Sequence, residues 1–186
     1  MRQFKDKVCV ITGAGSGIGA ACARAMAAEG AIIIGADLRM EMLEAVTAEV
    51  NEAGGRMQAH QLDVADRDAV FALAASVEKA HGAADLVLNN AGVSYSATVE
   101  DMSMDNFQWV MDINFWGVVH GTQAFLPAMI SRGSGHIANV SSIFGLIGVP
   151  TQCAYNAAKY GVLGFGEALR HEMKEHNIGV TTIHPG

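Results

Sequence analysis

Short apolar runs alternate with longer amphipathic segments along the whole chain. The first run, residues 7–12, is rich in β-branched residues and too short for a helix, and glycine follows it, so it predicts a buried strand. The same pattern predicts further strands near residues 31–36, 56–62, 85–89, 135–141 and 179–184. Periodic apolar positions predict helices near residues 20–29, 40–53, 66–80, 103–132 and 153–176.

Regular alternation of strands and helices is typical of a parallel sheet that is covered by helices on both faces. We therefore predict an α/β fold: a doubly wound parallel sheet in three α/β/α layers, formed by one domain over residues 1–186. A composition of 51% hydrophobic and 17% charged residues agrees with such a buried sheet. Ligands bind these sheets beyond the carboxyl ends of the strands. Glycine or polar residues follow the predicted strand ends at Gly13, Asp37, Asp63, Asn89, Asn90 and Ser142.

A glycine-rich turn joins the first predicted strand to the first helix. Residues 13–19 read Gly-Ala-Gly-Ser-Gly-Ile-Gly, and an alanine-rich segment follows until Gly30. Unpaired N–H groups and the positive end of the dipole make a helix N-terminus attractive to phosphate. Gly15, Gly17 and Ala20 match the dinucleotide pattern G-x-G-x-x-G/A, which is a weak signal by itself. A plain glycine turn is the alternative interpretation.

Asp37 ends the second predicted strand, 18 residues after Gly19. An acidic residue near this offset accepts hydrogen bonds from the adenosine ribose hydroxyls and repels a 2′-phosphate, which favours NAD over NADP. Arg39 argues the other way, because an arginine here can pair with a 2′-phosphate. The alternative for Asp37 is the N-cap of the helix that begins near Met40.

Tyr155 and Lys159 lie four residues apart on a predicted helix, and Ser142 precedes Tyr155 by thirteen residues. Residues i and i+4 share a helix face, with Cβ atoms roughly 5–6 Å apart. A nearby ammonium favours the phenolate form of a tyrosine, which can then exchange a proton with a substrate. Neighbouring serines at a strand end point to opposite faces, so either Ser141 or Ser142 faces the site, and the spacing favours Ser142. Alone, the Tyr-Lys pair could be a solvated helix face.

Together, these motifs resemble the short-chain dehydrogenase/reductase family of the single-domain, NAD(P)-dependent type. The match extends from Lys7 onward, in order and with similar spacings. The family's nucleotide motif, Thr-Gly-x-x-x-Gly-x-Gly, stands at Thr12, Gly13, Gly17 and Gly19. Its other motifs stand at Asp63-Val64, Asn89-Asn90-Ala91-Gly92, Asn114, Ser142, Tyr155, Lys159 and Pro185-Gly186.

The resemblance implies a Rossmann-like fold and hydride transfer between NAD(P) and an alcohol, ketone or aldehyde. It implies a catalytic set of Asn114, Ser142, Tyr155 and Lys159. The cofactor-binding residues that it implies are Gly13, Ser16, Gly17, Ile18, Gly19, Asp37, Asp63, Val64, Asn90, Ala91, Gly92, Tyr155, Lys159, Pro185 and Gly186. The identity of the small-molecule substrate stays open.

Apolar residues surround the predicted helix 103–132 on all sides, as in a helix that is buried on more than one face. The resemblance implies that this helix and helix 153–176 pair across a two-fold axis, in a homodimer or homotetramer. The alternative is that Trp109 and Trp116 pack on the sheet. For Asn114, the resemblance implies a kinked helix whose Asn114 carbonyl holds a water next to Lys159; a simple bond to nearby backbone is the alternative.

Charge and composition exclude several other functions. A net charge of −7 without a basic cluster argues against a nucleic-acid partner, and no apolar run is long enough to span a bilayer. The seven histidines and three cysteines show no metal-ligand spacing. We expect no metal, no membrane partner and a cytoplasmic protein. The Gly-x-Ser-x-Gly pattern of a serine hydrolase is missing from the sequence.

Two rival functions on the same fold remain. One is a dinucleotide-binding regulator with weak catalysis, which the presence of Ser142, Tyr155 and Lys159 argues against. The other is a related lyase or epimerase. The resemblance also implies that a substrate-capping segment and a last strand follow Pro185 and Gly186. We therefore expect residues 1–186 to be part of a longer protein, with one sheet edge uncovered and a substrate pocket that lacks one wall.

Overall fold

A computed structural model describes residues 4–186 of the protein. The strands are β1 (Val8–Thr12), β2 (Ile32–Asp37), β3 (Arg56–Gln61), β4 (Leu86–Asn89), β5 (Gly135–Val140) and β6 (Ile178–Ile183). The helices are α1 (Gly17–Ala28), α2 (Met40–Glu52), α3 (Arg67–His81), α4 (Met104–Met111), α5 (Gly117–Arg132) and α6 (Cys153–Glu172). One short helical turn, Ile143–Gly145, lies between β5 and α6, and another, Met173–His176, follows α6.

The six strands form one parallel sheet in the order β3-β2-β1-β4-β5-β6. The chain therefore leaves β1 in one direction towards β3, and then returns across β1 to build the other half from β4. This reversal creates a crevice between the carboxyl ends of β1 and β4, where ligands of such sheets bind. The predicted three-layer, doubly wound fold is confirmed.

Separate cores fill the two faces of the sheet. On one face, small and branched side chains of α1 and α2, such as Ala23 and Leu43, pack against Ile11 and Ile33 of the central strands. On the other face, α3, α5 and α6 cover Val10, Ile34 and Ile137. Because both faces are buried, the central strands are apolar throughout, which explains why short continuous apolar runs identified them so clearly.

The predicted helix 103–132 is not one regular helix. A π-helical segment, Asp112–Trp116, separates α4 from α5, and the Gly117 N–H donates to the Asp112 carbonyl five residues back. A π turn accommodates one extra residue and is frequent at functional sites. It turns the polar side chain of Asn114 inward, where that residue is fully buried. Another difference is that α1 begins at Gly17, three residues before the predicted start, inside the glycine turn.

Candidate active site

A cleft of about 870 Å³ opens at the carboxyl edge of the sheet, above β1 and β4. It reaches from the end of β2 to the first turn of α6. Sixteen of the predicted site residues line it: Gly13, Ser16, Gly17, Ile18, Asp37, Asp63, Val64, Asn90, Ala91, Gly92, Asn114, Ser142, Tyr155, Lys159, Pro185 and Gly186. The topology therefore brings together groups that are up to 173 residues apart in sequence.

The glycine turn forms one wall of this cleft. Gly13 and Gly17 adopt positive φ angles of 67° and 51°, which glycine reaches without the steric penalty of a side chain. Ser16 is the N-cap of α1, and its hydroxyl accepts a hydrogen bond from Arg39 at 3.1 Å. Gly17 and Ile18, the first residues of α1, line the cleft, and the unpaired N–H groups of a helix N-terminus bind anions.

Gly19 differs from its neighbours because it is buried behind the turn. A Cβ atom at this position would collide with the carbonyl oxygen of Gly13 and lie 2.6 Å from the amide nitrogen of Asn90. The residue thus allows α1 to approach the end of β4 closely. Its contribution to the site is packing, whereas Gly13 and Gly17 shape the surface of the cleft.

Thr12 and Asn90 fasten the ends of β1 and β4 to each other. The Thr12 hydroxyl accepts hydrogen bonds from the backbone N–H groups of Asn90 and Ala91 at 3.0 and 3.1 Å. In return, the side-chain amide of Asn90 donates to the carbonyls of Thr12 and Gly13 at 2.9 and 3.3 Å. The Asn90 side chain thus fixes the glycine turn. The corresponding role of the Thr12 hydroxyl, which fixes the end of β4, was not predicted from the sequence.

Asp37 lies at the far end of the cleft and is 8% exposed. Its carboxylate accepts hydrogen bonds from the backbone N–H groups of Gly15 and Arg39, both at 3.0 Å. The N-cap of α2 is Arg39, so the alternative interpretation of Asp37 as that N-cap is wrong. An ionised carboxylate has about four acceptor positions, and two remain for a ligand. The Arg39 guanidinium is exposed, with Nε 3.9 Å from the carboxylate.

Tyr155 and Lys159 lie at the other end, on the first two turns of α6. The Lys159 Nζ atom is 5.5 Å from the centre of the Tyr155 ring and donates a hydrogen bond to the Val140 carbonyl at 2.8 Å. Phe144 packs edge-on against the Tyr155 ring, with ring centres 6.1 Å apart. The ammonium is therefore fixed beside the phenol by the end of β5, instead of moving freely in solvent.

Burial makes the Lys159 ammonium unusually acidic. The side chain is 3% exposed, and the loss of hydration lowers its pKa from 10.5 to about 8. Desolvation disfavours the charged form of a lysine, so the fold keeps this cation at an energetic cost. Perturbed groups of this kind are concentrated at functional sites.

The two serines after β5 point in opposite directions. The Ser141 hydroxyl is buried and donates to the backbone carbonyl of Lys159 at 2.9 Å, so it ties β5 to α6. The Ser142 hydroxyl lies in the cleft, where it accepts a hydrogen bond from the Phe144 N–H at 3.1 Å. As a hydroxyl, it can still donate one hydrogen bond to a ligand.

Asn114 lies near Lys159, at the Tyr155 end of the cleft. Its amide nitrogen donates to the carbonyls of Val93 and Val110 at 2.8 and 2.9 Å, and its amide oxygen accepts from the Val93 N–H at 3.2 Å. A Cβ atom on Gly92 would lie 2.7 Å from that oxygen and 3.7 Å from Lys159 Nζ. The absence of a side chain at Gly92 therefore lets Asn114 and Lys159 converge.

Asn156 was not identified from the sequence, although it organises the rim of the site. Its amide nitrogen donates to the carbonyls of Phe144 and Ile147 at 2.6 and 2.8 Å, and its oxygen accepts from the Val149 N–H at 3.0 Å. One buried side chain thus shapes the loop between β5 and α6. A polar residue on the buried side of an amphipathic helix was the signal that could have revealed it.

Comparison with known proteins places this architecture in a family. The family model for short chain dehydrogenases matches residues 7–186. The chain belongs to the short chain dehydrogenase family. The range that the family model matches includes every motif from Thr12 to Gly186.

Among curated short chain dehydrogenase relatives, the putative oxidoreductase SadH of Mycobacterium tuberculosis is 46% identical, and the match covers 100% of this chain and 68% of that protein. A metagenomic short-chain oxidoreductase in complex with NADP has a TM-score of 0.95 at 35% identity, covering 98% of this chain and 83% of its own. A short chain dehydrogenase/reductase from Burkholderia phymatum in complex with NAD has a TM-score of 0.96 at 34% identity, covering 100% and 67%.

Within residues 4–186, each helix is too short or too polar to cross a lipid bilayer. The longest, α6, has 20 residues, but charged residues on its outer face, such as Glu167 and Arg170, interrupt its apolar positions.

Proposed function

We propose that this short chain dehydrogenase interconverts an alcohol and a ketone or aldehyde by hydride transfer with NAD or NADP. The observation that carries the proposal is the fixed position of the Lys159 ammonium, 5.5 Å from the centre of the Tyr155 ring, at one end of a cleft. The opposite end of the same cleft has the helix N-terminus and carboxylate that suit a dinucleotide. A proton-transfer group and a nucleotide site thus share one cavity.

In this proposal a dinucleotide lies along the whole length of the cleft. The first turn of α1, with Ser16 and Ile18, would hold the pyrophosphate. Asp37 would accept the adenosine ribose hydroxyls, Asp63 and Val64 would border the adenine, and Lys159 would hold the nicotinamide ribose. The remaining contacts would come from Gly13, Gly17, Asn90, Ala91, Gly92, Tyr155, Pro185 and Gly186. When bound, the nicotinamide accepts a hydride from the alcohol or supplies one to the carbonyl.

Asp37 favours NAD over NADP in this proposal. Its carboxylate is anchored by Gly15 and Arg39 and cannot easily turn away, so a 2′-phosphate would meet a fixed negative charge. Arg39 opposes this effect, but its guanidinium is solvent-exposed and already pairs with Ser16. Because solvent screens the exposed guanidinium of Arg39, its positive charge offsets only weakly the negative charge of the nearly buried Asp37 carboxylate.

Three side chains move the proton and bind the reacting oxygen. Tyr155 takes the hydroxyl proton during alcohol oxidation and returns it during carbonyl reduction. Lys159 stabilises the phenolate, because its ammonium is held beside the ring on a buried side chain. Ser142 donates its free hydroxyl hydrogen to the substrate oxygen, where negative charge develops.

Asn114 continues the proton path beyond Lys159. Its amide nitrogen donates both hydrogens to the carbonyls of Val93 and Val110, so Asn114 can bind a water only through an oxygen atom. In the proposal, the Asn114 carbonyl binds a water that contacts Lys159 and passes the Tyr155 proton towards solvent. The π-helical segment supports this role, because a π turn disturbs the regular pairing of helix carbonyls.

We also propose that the chain assembles through α4, α5 and α6 into a homodimer or homotetramer. Trp109 and Trp116 are 44% and 45% exposed on this side, so neither is packed away on the sheet. Half-exposed tryptophans on adjoining helices are costly in water and are enriched at protein interfaces.

A cofactor-coupled screen tests the proposed reaction. Alcohols are offered with NAD and with NADP, ketones and aldehydes with the reduced cofactors, and the absorbance of the reduced nicotinamide is followed. Turnover in either direction supports the proposal. Binding of cofactor without any turnover would favour the regulator, and conversion of substrate without net cofactor change would favour a lyase or epimerase.

A further inference from the structure

Two loop segments meet beside the catalytic end of the cleft. Ser94 Oγ donates a hydrogen bond to Gln152 Oε1 at 2.9 Å, and Ser96 Oγ donates to Thr151 Oγ1 at 3.1 Å. The backbone joins them as well, because the Ala97 N–H donates to the Thr151 carbonyl at 3.0 Å. These bonds fasten the loop after β4 to the start of α6.

Thr151 has an unusual backbone conformation at this junction, with a φ angle of 66°. A β-branched residue rarely adopts left-handed φ values, because its side chain crowds the neighbouring backbone. Such conformations persist where surrounding bonds impose them, and they are concentrated at functional sites. Here the bonds to Ser96 and Ala97 impose it, and the result is a fixed position for Gln152 at the N-cap of α6.

In the side-chain amide of Gln152, the oxygen atom is already hydrogen-bonded and the nitrogen atom is available to a ligand. The amide oxygen is held by Ser94, whereas within residues 4–186 no acceptor pairs with the amide nitrogen, Nε2. That nitrogen carries two N–H donors. The residue lines the same cleft as Ser142, Phe144 and Tyr155. The loop junction therefore supplies the substrate end of the cleft with a fixed hydrogen-bond donor that the proposed reaction does not use.

We propose that Gln152, whose amide is held in place by Ser94, donates a hydrogen bond from Nε2 to a second oxygen atom of the substrate. This inference rests on the proposed oxidoreductase function and narrows its substrate class. Gln152 is the N-cap of α6 and Tyr155 is the third residue of that helix, so the two side chains leave the chain within the same first turn. An oxygen bound by Gln152 therefore belongs to a carbon next to the reacting carbon, or one further. The substrate class is an alcohol or ketone that is oxygenated at the α or β position.

Three matched ketones test the inference: 2-butanone, 3-hydroxy-2-butanone and 4-hydroxy-2-butanone. The measured quantity is the kcat/KM of each hydroxyketone divided by that of 2-butanone, for the full chain at saturating cofactor. In each variant this ratio is divided by that of the wild type, which cancels the intrinsic reactivity of the ketones. For Gln152→Leu we expect the ratio of at least one hydroxyketone to fall by about 2- to 12-fold, the value of one neutral hydrogen bond.

Two further variants separate a donor from a merely space-filling residue. Gln152→Glu keeps the shape but replaces the donor by a second acceptor, so the ratio should fall further than in Gln152→Leu. Ser94→Ala releases the amide oxygen, and the ratio should fall by a smaller factor. Gln58→Leu, on the exposed face of the edge strand β3, is the matched control and should leave the ratio unchanged.

The outcomes distinguish this inference from the function on which it rests. If the wild type reduces 2-butanone or either hydroxyketone, the oxidoreductase proposal stands. The Gln152 inference is then overturned if both Gln152 variants keep the wild-type ratio for both hydroxyketones. It is also overturned if Gln152→Glu retains a higher ratio than Gln152→Leu. Failure of the wild type to reduce any ketone or aldehyde would instead remove the proposed function itself.

Discussion

The Lys159 ammonium lies 5.5 Å from the centre of the Tyr155 ring while being 3% exposed to solvent. The Val140 carbonyl accepts its hydrogen bond, and the Ser141 hydroxyl holds its backbone carbonyl. Each of these contacts fixes the position of the cation. None of them restores the hydration that burial removes, and the pKa of Lys159 falls to about 8 as a consequence.

This pKa predicts a specific dependence of stability on pH. Between pH 8 and 10.5 the unfolded lysine holds its proton while the folded one releases it, so the folded state becomes more stable as the pH rises. The gain is at most about 3 kcal/mol. Below pH 8 both forms are protonated, and Lys159 then contributes no further pH dependence. Urea unfolding of the cofactor-free protein near pH 7 and near pH 10 measures the change.

Lys159→Met isolates this effect from the other groups that titrate in the same range. For each protein, the measured quantity is the increase in unfolding free energy from pH 7 to pH 10. This increase should be larger in the wild type than in the variant. Lys79→Met, which changes an exposed lysine of α3, is the control and should leave the wild-type change intact. A Lys159→Met protein with the full wild-type change would show that burial does not perturb this ammonium.

Asp37 predicts the choice of cofactor. Asp37→Ser should weaken NAD and relieve the repulsion of NADP, and we expect kcat/KM for NAD to fall about tenfold or more, since bonds to a charged acceptor are lost. Asp37→Asn keeps the shape but removes the charge, so it should chiefly improve NADP. Asp68→Ser, on an exposed turn of α3, is the control. A wild type that already prefers NADP would mean that Arg39 decides the choice.

The sheet and the glycine turn could be predicted because their signals are local. Strands β1 and β2 are covered on both faces of the sheet, so their apolar runs end abruptly at the polar or glycine residues of the cleft. Strand ends of a parallel sheet meet at one edge, which is why Gly13 and Asp37 could be placed together without coordinates.

The interruption at Asp112–Trp116 could not be predicted from the same kind of signal. A π turn shifts the register by one residue, and apolar residues on all sides of the helix conceal such a shift. The positions of Thr151 and Asn156 were equally hidden. Their roles depend on contacts with the loops at residues 96–97 and 144–149, which no periodicity encodes.

The half-exposed tryptophans predict the effect of a charge on assembly. Trp116→Lys should move the protein from dimer or tetramer to monomer in sedimentation velocity, because a buried unpaired ammonium would oppose association. Met42→Lys makes the same kind of change on α2, away from the proposed interface, and should leave the assembly unchanged. A wild type that sediments as a monomer would contradict the proposed assembly.

Tyr155 is the centre of the proposed chemistry, and one substitution tests it most directly. Tyr155→Phe removes the hydroxyl and keeps the ring that packs against Phe144. Tyr160→Phe, on an exposed part of the same helix, is the matched control. The measurement is steady-state turnover of the best substrate of the screen, with NADH binding titrated by fluorescence in parallel. We predict that Tyr155→Phe binds NADH like the wild type and loses at least about 10²- to 10⁴-fold in turnover, whereas Tyr160→Phe loses neither. Turnover of Tyr155→Phe within about tenfold of the wild type would contradict the assignment of Tyr155 as the proton donor.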